Sequence, residues 1–249
     1  MLLKINLNSN VGCVRQKNED IILLGSELFR DNTHAEDIEL GDNVRFAIIV
    51  ADGMGGHSGG EIASEYAVQY FCDFVQELPA GLGVEELSEE LKTWTAKAHQ
   101  NILKQGIENP EYNEMGTTFA GLLFYEKIVL ALNIGDSRVY RYRNEVLKQI
   151  TKDHSMRELT GDKTMPSNQI YNSLGAGETA FIDIKDLTEQ VYNDDVFMIC
   201  SDGLCDMVSD EEIEKVLSNR ASADDLVSIA CQAGGKDNVS VIVLSVNSN

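Results

Sequence analysis

The chain has 249 residues, 43% of them hydrophobic, and its 41 acidic against 20 basic residues give a formal net charge of −21 at pH 7. That length can bury a large core, and no Pro-, Gly- or Ser-rich linker divides it, so we expect one domain over residues 1–249. The acidic balance argues against nucleic acid or an anionic membrane surface as the partner.

The first residues, MLLKINLNSNVG, lack the unbroken apolar stretch of a secretion signal, and no later run is long enough to span a bilayer. Five cysteines without a CxxC spacing favour reduced, mostly buried thiols, to which we assign no chemistry. These features predict a cytoplasmic protein without a membrane anchor.

In the first half, short strands are predicted over 3–8 and 20–25, and a β-rich run over 44–51 ends at Asp52-Gly53. A helix is predicted from about Glu61, with an apolar face of Ala63, Ala67, Tyr70, Phe71 and Phe74. A second helix is predicted over 84–108, with a face of Leu87, Leu91, Trp94, Ala98 and Ile102.

From Thr117 to Leu147 the chain has consecutive β runs joined by turns too short for crossover helices, which predicts an antiparallel meander. A strand over 195–200, helices near 210–218 and 222–233, and a last strand over 238–245 follow. Such grouping predicts an α+β fold, a four-layer α-β-β-α sandwich in which two antiparallel sheets pack together and helices flank them.

Four aspartates beside Gly or Asn stand near the ends of strand-like runs: Asp52, Asp136, Asp202 and Asp237. Clustered carboxylates repel one another in low dielectric unless a cation neutralises them. Carboxylate oxygens suit Mg²⁺ or Mn²⁺, and a glycine such as Gly53 lets its carbonyl approach an ion. Two such ions would acidify a shared water, which indicates hydrolysis of a phosphate monoester.

Other interpretations of these motifs stay open on spacing alone. An Asp-Gly pair is most often only a turn. The run GMGGHSGGE lacks the Lys and Ser/Thr of a nucleotide P-loop, and we interpret it as a metal-bearing turn into a helix. Arg15 lies upstream of Glu19 and Asp20. It fits equally well a solvated surface base and a guanidinium that binds a phosphoryl group through two N–H donors.

Eight segments in order carry a family resemblance: GCVRQKNED at 12–20, VADGMGGHSGGEIAS at 50–64, MGTTFAGLL at 115–123, LNIGDSRVYRYR at 132–143, ITKDHS at 150–155, NSLG at 172–175, CSDGLCDMVSDEEI at 200–213 and GGKDNVSVIVL at 234–244. With these, the chain resembles the metal-dependent protein phosphatases of the PP2C (PPM) family in their compact bacterial form. The family's paired antiparallel sheets flanked by helices agree with the predicted layers.

The resemblance implies a site for two catalytic Mn²⁺ or Mg²⁺ ions. Asp52 would bridge both ions, with the Gly53 carbonyl on one and Asp202 and Asp237 on the other. It also implies the following further roles. Glu19 and Asp20 would hold metal-bound waters, Asp136 would join Asp202 at a third, weaker metal site, and Arg15 would bind the substrate phosphate.

The implied reaction is hydrolysis of phosphoserine and phosphothreonine in proteins by a hydroxide that bridges the metals, without a phosphoenzyme. The implied partners are the phosphorylated substrates of a serine/threonine kinase, and we expect a monomer. Two alternatives are a catalytically silent module that binds phosphoproteins and a calcium-stabilised structural domain, although no twelve-residue calcium loop fits.

Two departures from the family pattern concern the general acid and the flap. Met54 stands where animal-type members have a histidine proposed as general acid, so His57 is the candidate for that role. The flap segment 155–171 is short and polar and lacks the usual histidine and proline pattern. A further segment, 30–43, is predicted to be either a recognition loop or an insertion.

Overall fold

The computed structural model describes residues 1–55, 59–162, 164–166 and 168–247. Its strands are β1 (Leu2–Asn10), β2 (Asp20–Leu24), β3 (Glu27–Phe29), β4 (Asn32–Glu39), β5 (Arg45–Met54), β6 (Gly116–Thr117), β7 (Phe119–Tyr125), β8 (Ile128–Ile134), β9 (Arg138–Arg143), β10 (Val146–Gln149), β11 (Asp183–Asp186), β12 (Val196–Cys200) and β13 (Val239–Asn247). Its α-helices are α1 (Gly59–Glu77), α2 (Val84–Glu108), α3 (Met156–Thr160), α4 (Asp202–Cys205), α5 (Asp210–Ser218) and α6 (Ala223–Gln232).

The strands form two antiparallel sheets. The first has the order β10-β9-β12-β13-β1-β4, and the second has the order β11-β8-β7-β5-β2-β3, with β6 paired to the end of β5. In the first sheet β1 pairs with β13 along its whole length, from Leu2 opposite Asn247 to Asn10 opposite Val239. The first sheet therefore joins strands from both ends of the described chain.

The predicted four layers are confirmed by the packing. Apolar side chains of both sheets, such as Ile5, Ile48 and Phe197, meet between them. Helices α1 and α2 cover the outer face of the second sheet, where Phe71 packs edge-on against Phe119 at 4.8 Å between ring centroids. Helices α5 and α6 cover the outer face of the first sheet. The core thus consists of three apolar layers, one between the sheets and one beneath each pair of helices.

Helix α2 has the predicted bounds, and all five residues of its predicted apolar face are buried. Helix α1 begins at Gly59, before the predicted Glu61, and Tyr70 is 42% exposed although its spacing placed it on the buried face. Tyr70 therefore lies at the edge of the stripe, where the helix surface reaches solvent. No helix in the described part of the chain is long and apolar enough to cross a membrane.

Two expectations about the strands were wrong. Strand β5 does not stop at Asp52-Gly53 but continues to Met54, because β6 pairs with its last residues. The four β runs from Thr117 to Leu147 are not one meander, since β7 and β8 pair in the second sheet and β9 and β10 in the first. Segment 30–43 contains an edge strand, β4, paired with β1. Short turns alone do not show whether the next strand joins the same sheet.

Candidate metal centre

Strand pairing brings acids from distant parts of the chain to one end of the sandwich. Asp20 begins β2 and lies directly opposite Asp52 on β5. Directly opposite residues of antiparallel strands project to the same side, so the two carboxyls face one another. From the other sheet, Asp202 follows β12 and Asp237 precedes β13. The strand-end aspartates therefore converge from both sheets.

A cavity of about 260 Å³ lies at this convergence. Seven predicted site residues line it: Arg15, Glu19, Asp52, Gly53, Asp136, Asp202 and Asp237. Asp20 is fully buried and does not line the cavity, although its charge acts on Asp52. His57, the candidate general acid, lies outside the described residues. The structure thus brings together the predicted carboxylates and the predicted phosphate-binding arginine.

Desolvation and mutual repulsion raise the pKa values of these acids. Desolvation raises the pKa of Asp20 to about 7, against hydrogen bonds from Ser201 and Ser240 that lower it. Desolvation likewise raises the pKa of Asp202 to about 6. For Asp52 and Asp136 the pKa lies well above the ordinary value, first through desolvation and then through neighbouring carboxylates. Without a cation, this site cannot hold all its acids ionised at neutral pH.

The donor set fits hard divalent ions. Within the described chain, Asp20 Oδ1 and Asp202 Oδ1 are buried carboxylate oxygens without a hydrogen-bond partner, which is costly unless a cation meets them. Oxygen ligands of this kind suit Mn²⁺ or Mg²⁺. Among the described residues, no group of three or more acid, histidine or cysteine side chains lies close enough together to hold one metal ion. The acids are instead spaced around the cavity.

Among the described residues, Arg15 is the one basic side chain in the cavity lining, and it forms an ion pair with Asp237 at 2.6 Å between Nη2 and Oδ2. The Arg15 side chain is 51% exposed. Its guanidinium therefore lies at the mouth of the site and stays in contact with solvent, where an incoming anion would meet it first.

Close packing explains Gly53 at the end of β5. The Gly53 amide donates to the Glu19 carbonyl at 3.1 Å, and a Cβ atom on Gly53 would lie 2.0 Å from the Gly60 carbonyl oxygen. Helix α1 therefore starts directly against the strand that carries Asp52. This packing requirement adds to the one inferred from sequence, which concerned only access of the Gly53 carbonyl to an ion.

Asn238 is a site residue that the sequence reasoning missed. Its Oδ1 accepts a hydrogen bond from the Glu19 amide at 2.8 Å, and its Nδ2 donates to the carbonyls of Val11 and Lys17 at 3.0 and 2.9 Å. One side chain thus holds the loop that carries Arg15. The signal was present in the motif GGKDN, where an asparagine beside a candidate ligand offers both a donor and an acceptor.

Ser201 and Thr118 are two further residues that sequence reasoning passed over. The Ser201 hydroxyl donates to Asp20 Oδ2 at 2.7 Å and so joins the two sheets beneath the site. The Thr118 hydroxyl accepts from the Asp52 amide at 3.0 Å. Both lie within the quoted motifs, so their position was visible in the sequence, but their partners were not.

The ITKDHS and NSLG motifs support the turn that carries Asp136. His154 is buried, and its Nδ1 accepts from the Gly135 amide at 3.1 Å and from Asn172 Nδ2 at 2.7 Å. Its Nε2 lies 3.1 Å from Asp183 Oδ2. Because Nδ1 accepts, Nε2 carries the proton and donates to Asp183. His154 therefore fixes the Asp136 turn and does not face the cavity.

Part of the flap reaches the site. Asn168 and Ile170 line the cavity, and Ser155 forms a β-bridge with Ile170 that brings the two ends of the segment together. Between them, the short helix α3 begins at the cap residue Ser155, whose hydroxyl accepts from the Glu158 amide at 3.3 Å. The flap is thus folded back on itself beside the cavity.

Comparison with known proteins gives the same family as the sequence motifs. The sequence model for protein phosphatase 2C matches residues 25–238. The serine/threonine phosphatase stp of Listeria innocua is 32% identical over 80% of this chain and 84% of its own length. The Mycobacterium tuberculosis phosphatase PstP is 29% identical over 99% of this chain, which spans 45% of that protein.

Solved structures extend the likeness to the fold. The crystal structure of the M. tuberculosis phosphatase PstP/Ppp matches with a TM-score of 0.78 at 29% identity, over 100% of both chains. A structure of the PstP catalytic domain in complex with two manganese ions matches with a TM-score of 0.75, also over 100% of both chains. These findings confirm the resemblance, and the chain belongs to the protein phosphatase 2C family of serine/threonine protein phosphatases.

Proposed function

We propose that the chain hydrolyses phosphoserine and phosphothreonine in proteins at the acid-lined cavity, with two Mn²⁺ or Mg²⁺ ions as cofactors, and that residues 1–249 act as one monomeric catalytic domain. The observation that carries this proposal is the pair of buried carboxylate oxygens without a hydrogen-bond partner, on Asp20 and Asp202, beside a cavity lined by four further acids.

The proposed ligands are those that converge on the cavity. Asp52 would bridge the two ions, the Gly53 carbonyl would bind one, and Asp202 and Asp237 would bind the other. When bound, such ions acidify water for attack on phosphorus and stabilise the charge that develops on its oxygens. Two manganese ions in the related PstP domain support this assignment.

The remaining acids take supporting roles in the proposal. Glu19 and Asp20 would orient waters of the ions, Glu19 from the cavity wall and Asp20 from its buried position behind Asp52. Asp136 would contribute with Asp202 to a third, weaker metal site, a role that fits its place in the lining and the repulsion between the two carboxylates.

Arg15 is the proposed phosphate-binding residue. Its exposed guanidinium lies beside Asp237 and is held in place by the ion pair between them. A guanidinium offers paired donors that match two phosphoryl oxygens, so Arg15 would orient the phosphorus toward the carboxylates. The serine or threonine leaving group must gain a proton, and His57 stays the candidate donor on sequence grounds.

The decisive experiment measures phosphate release from a phosphothreonine peptide with and without Mn²⁺. We expect turnover with Mn²⁺, none in chelator, and a loss of at least about a hundredfold in Asp52→Asn, because that change removes the bridging carboxylate. Asp37→Asn, on the exposed edge strand β4, is the matched control and should keep full activity.

Two outcomes would contradict this proposal. Turnover that persists in chelator would exclude the metal mechanism. Tight peptide binding with Mn²⁺ but without phosphate release would instead indicate a catalytically silent binding module. Circular dichroism of each variant separates loss of activity from loss of fold.

A further inference from the structure

Two cysteines that lie far apart in sequence meet beside the catalytic site. Cys13 stands in the loop before Arg15, and Cys231 stands near the end of α6, 218 residues later. The Cys13 thiol lies 3.7 Å from the Cys231 carbonyl oxygen, and it is near enough to the Cys231 thiol to help raise the pKa of that group. Cys13 is exposed and Cys231 is half-buried. This corrects the expectation of mostly buried thiols, since only Cys200 of the five is buried.

The backbone around the pair favours a close approach of the two sulfurs. The Cys13 amide donates to the Gly235 carbonyl at 2.8 Å, so the loop before Arg15 is tied to the segment that follows α6. A Cβ atom on Gly235 would lie 2.8 Å from Cys13 Sγ. Because Gly235 has no side chain, it leaves room for the Cys13 side chain at this position.

The other cysteines of the chain are differently placed. Cys200 and Cys205 are also neighbours, but Cys200 lies at 0% exposure at the end of β12 in the first sheet. Cys72 contacts the Gly25 carbonyl on the far side of α1. Among the five cysteines, only Cys13 and Cys231 combine two neighbouring thiols with an exposed cysteine, and exposure is what an oxidant in solution requires.

We propose that Cys13 and Cys231 form a peroxide-reactive dithiol that closes to a reversible disulfide next to the catalytic site. The thiolate of Cys13 attacks one oxygen of hydrogen peroxide, the O–O bond breaks, and hydroxide leaves and takes up a proton, which leaves a sulfenic acid on Cys13. Cys231 loses its thiol proton and attacks that sulfur, the S–O bond breaks, and the departing hydroxide becomes water. In sum, two thiols and one peroxide give one disulfide and two waters.

Exposure assigns the two roles. Cys13 is exposed and meets the peroxide first, whereas burial raises the pKa of the Cys231 thiol and so lowers its thiolate fraction for that first step. A disulfide would join the loop that carries Arg15 to the end of α6. Arg15 is two residues from Cys13, and its ion-pair partner Asp237 is two residues from Gly235. Movement of the two sulfurs into bonding distance therefore displaces the phosphate-binding arginine.

Peptide mapping tests the disulfide without any reliance on catalysis. The metal-free protein is treated with hydrogen peroxide, blocked with an alkylating agent and digested with trypsin without reduction. We expect peptide 5–15 to be joined to peptide 221–236, with two thiols lost per molecule and release by dithiothreitol. Cys13→Ser and Cys231→Ser should each abolish the joined peptides, while the matched control Cys72→Ser should keep them.

Two results of the mapping would overturn the proposal. One is that hydrogen peroxide converts Cys13 to sulfenic or sulfinic acid while peptides 5–15 and 221–236 stay separate. The other is that the thiols are lost first within peptide 186–215, which contains both Cys200 and Cys205.

The consequence for the site is tested by kinetics after the oxidant is removed and Mn²⁺ is added. We expect KM for a phosphopeptide to rise at least fivefold in the oxidised wild-type protein and to return on reduction. Oxidised Cys231→Ser should keep the KM of the reduced protein. A joined peptide pair with an unchanged KM would overturn the proposed effect on Arg15, while absence of activity in the reduced protein would speak only against the proposed hydrolysis.

Discussion

Asp20 is a fully buried carboxyl that faces a second carboxyl, that of Asp52, across an antiparallel strand pair. Like charges directly opposite one another destabilise a sheet, and the Ser201 hydroxyl offsets only part of the cost with its bond to Oδ2. The other oxygen, Oδ1, meets no donor in the described chain. This residue therefore weakens the metal-free fold and makes it responsive to cations.

The raised pKa of Asp20 predicts how the stability of the metal-free protein changes with pH. Between the ordinary pKa of 3.8 and the folded value of about 7, the folded protein holds a proton that the unfolded chain releases. Stability from this residue is therefore present below pH 4 and lost as pH rises through 7. Asp20→Asn has no carboxyl to ionise at this position and does not lose this stability. In chelator, its free energy of unfolding relative to that of the wild-type protein should therefore increase by a few kcal/mol from pH 5 to 8.

Urea unfolding in chelator at each pH measures that difference, and Mn²⁺ should narrow it because bound cations favour the ionised acids. A wild-type protein that gains stability over Asp20→Asn with rising pH would contradict the assignment.

Asn238 predicts a second effect at this scale, on substrate binding. Asn238→Ala removes three hydrogen bonds that fix the loop from Val11 to Glu19, so we expect a loss of about 1–3 kcal/mol in stability. Because the same loop carries Arg15, KM for a phosphopeptide should rise severalfold while kcat changes less. Asn219→Ala, at the distant end of α5, is the control. Lowered stability with unchanged KM would restrict Asn238 to a purely structural role.

At the scale of elements, the junction of β5 with α1 determines whether the site can form. A Cβ atom on Gly53 would lie 2.0 Å from the Gly60 carbonyl oxygen and 2.7 Å from that of Glu19. Backbone atoms on both sides leave no flexible group that could yield.

Gly53→Ala should therefore lower stability by more than about 2 kcal/mol and lower metal affinity as well. Gly41→Ala is the matched control, because a Cβ atom there meets nothing within 4 Å, and it should stay within about 0.5 kcal/mol of wild type. Thermal unfolding and Mn²⁺ titration of both variants give the comparison. Equal stability of the two would show that α1 can retreat from β5.

Local patterns predicted the helices well but not the partners of the strands. Helix α2 follows from the spacing of Leu87, Leu91 and Trp94 alone. The change of sheet between β8 and β9 does not, because Asp136 lies in a turn as short as a hairpin turn and only the packing of the sheets sends β9 to the other layer. Strand β4 was missed because it is an edge strand with an exposed, polar sequence.

The site shows the same division between local and long-range information. The strand-end aspartates could be predicted because each is a local motif. The directly opposed pair of Asp20 and Asp52 depends on strand register. The hydrogen bonds of Asn238 to Glu19 and Val11 span sequence separations of 219 and 227 residues. Such contacts arise only from the tertiary fold.

At the scale of the whole molecule, the net charge of −21 predicts the preferred flanks of a substrate. The protein's field attracts cationic peptides and repels anionic ones over about 10 Å at 0.1 M salt. At low ionic strength, kcat/KM should be severalfold higher for a phosphothreonine peptide flanked by lysines than for one flanked by glutamates. The ratio should fall toward one as salt rises. Equal values at low salt would show that contacts beside the cavity outweigh the overall field.

The central pairing of β1 with β13 has a consequence for the order in which the protein is made. These strands come from opposite ends of the described chain, yet they are neighbours along nine residues of the first sheet. The candidate ligand Asp237 stands just before β13, whereas Arg15 and Asp20 follow β1. While β13 and the residues before it are still inside the ribosome, the folded part of the chain lacks one strand of the first sheet and the candidate ligand Asp237. If the proposed ligands hold the ions, dephosphorylation begins only after translation has passed Asp237.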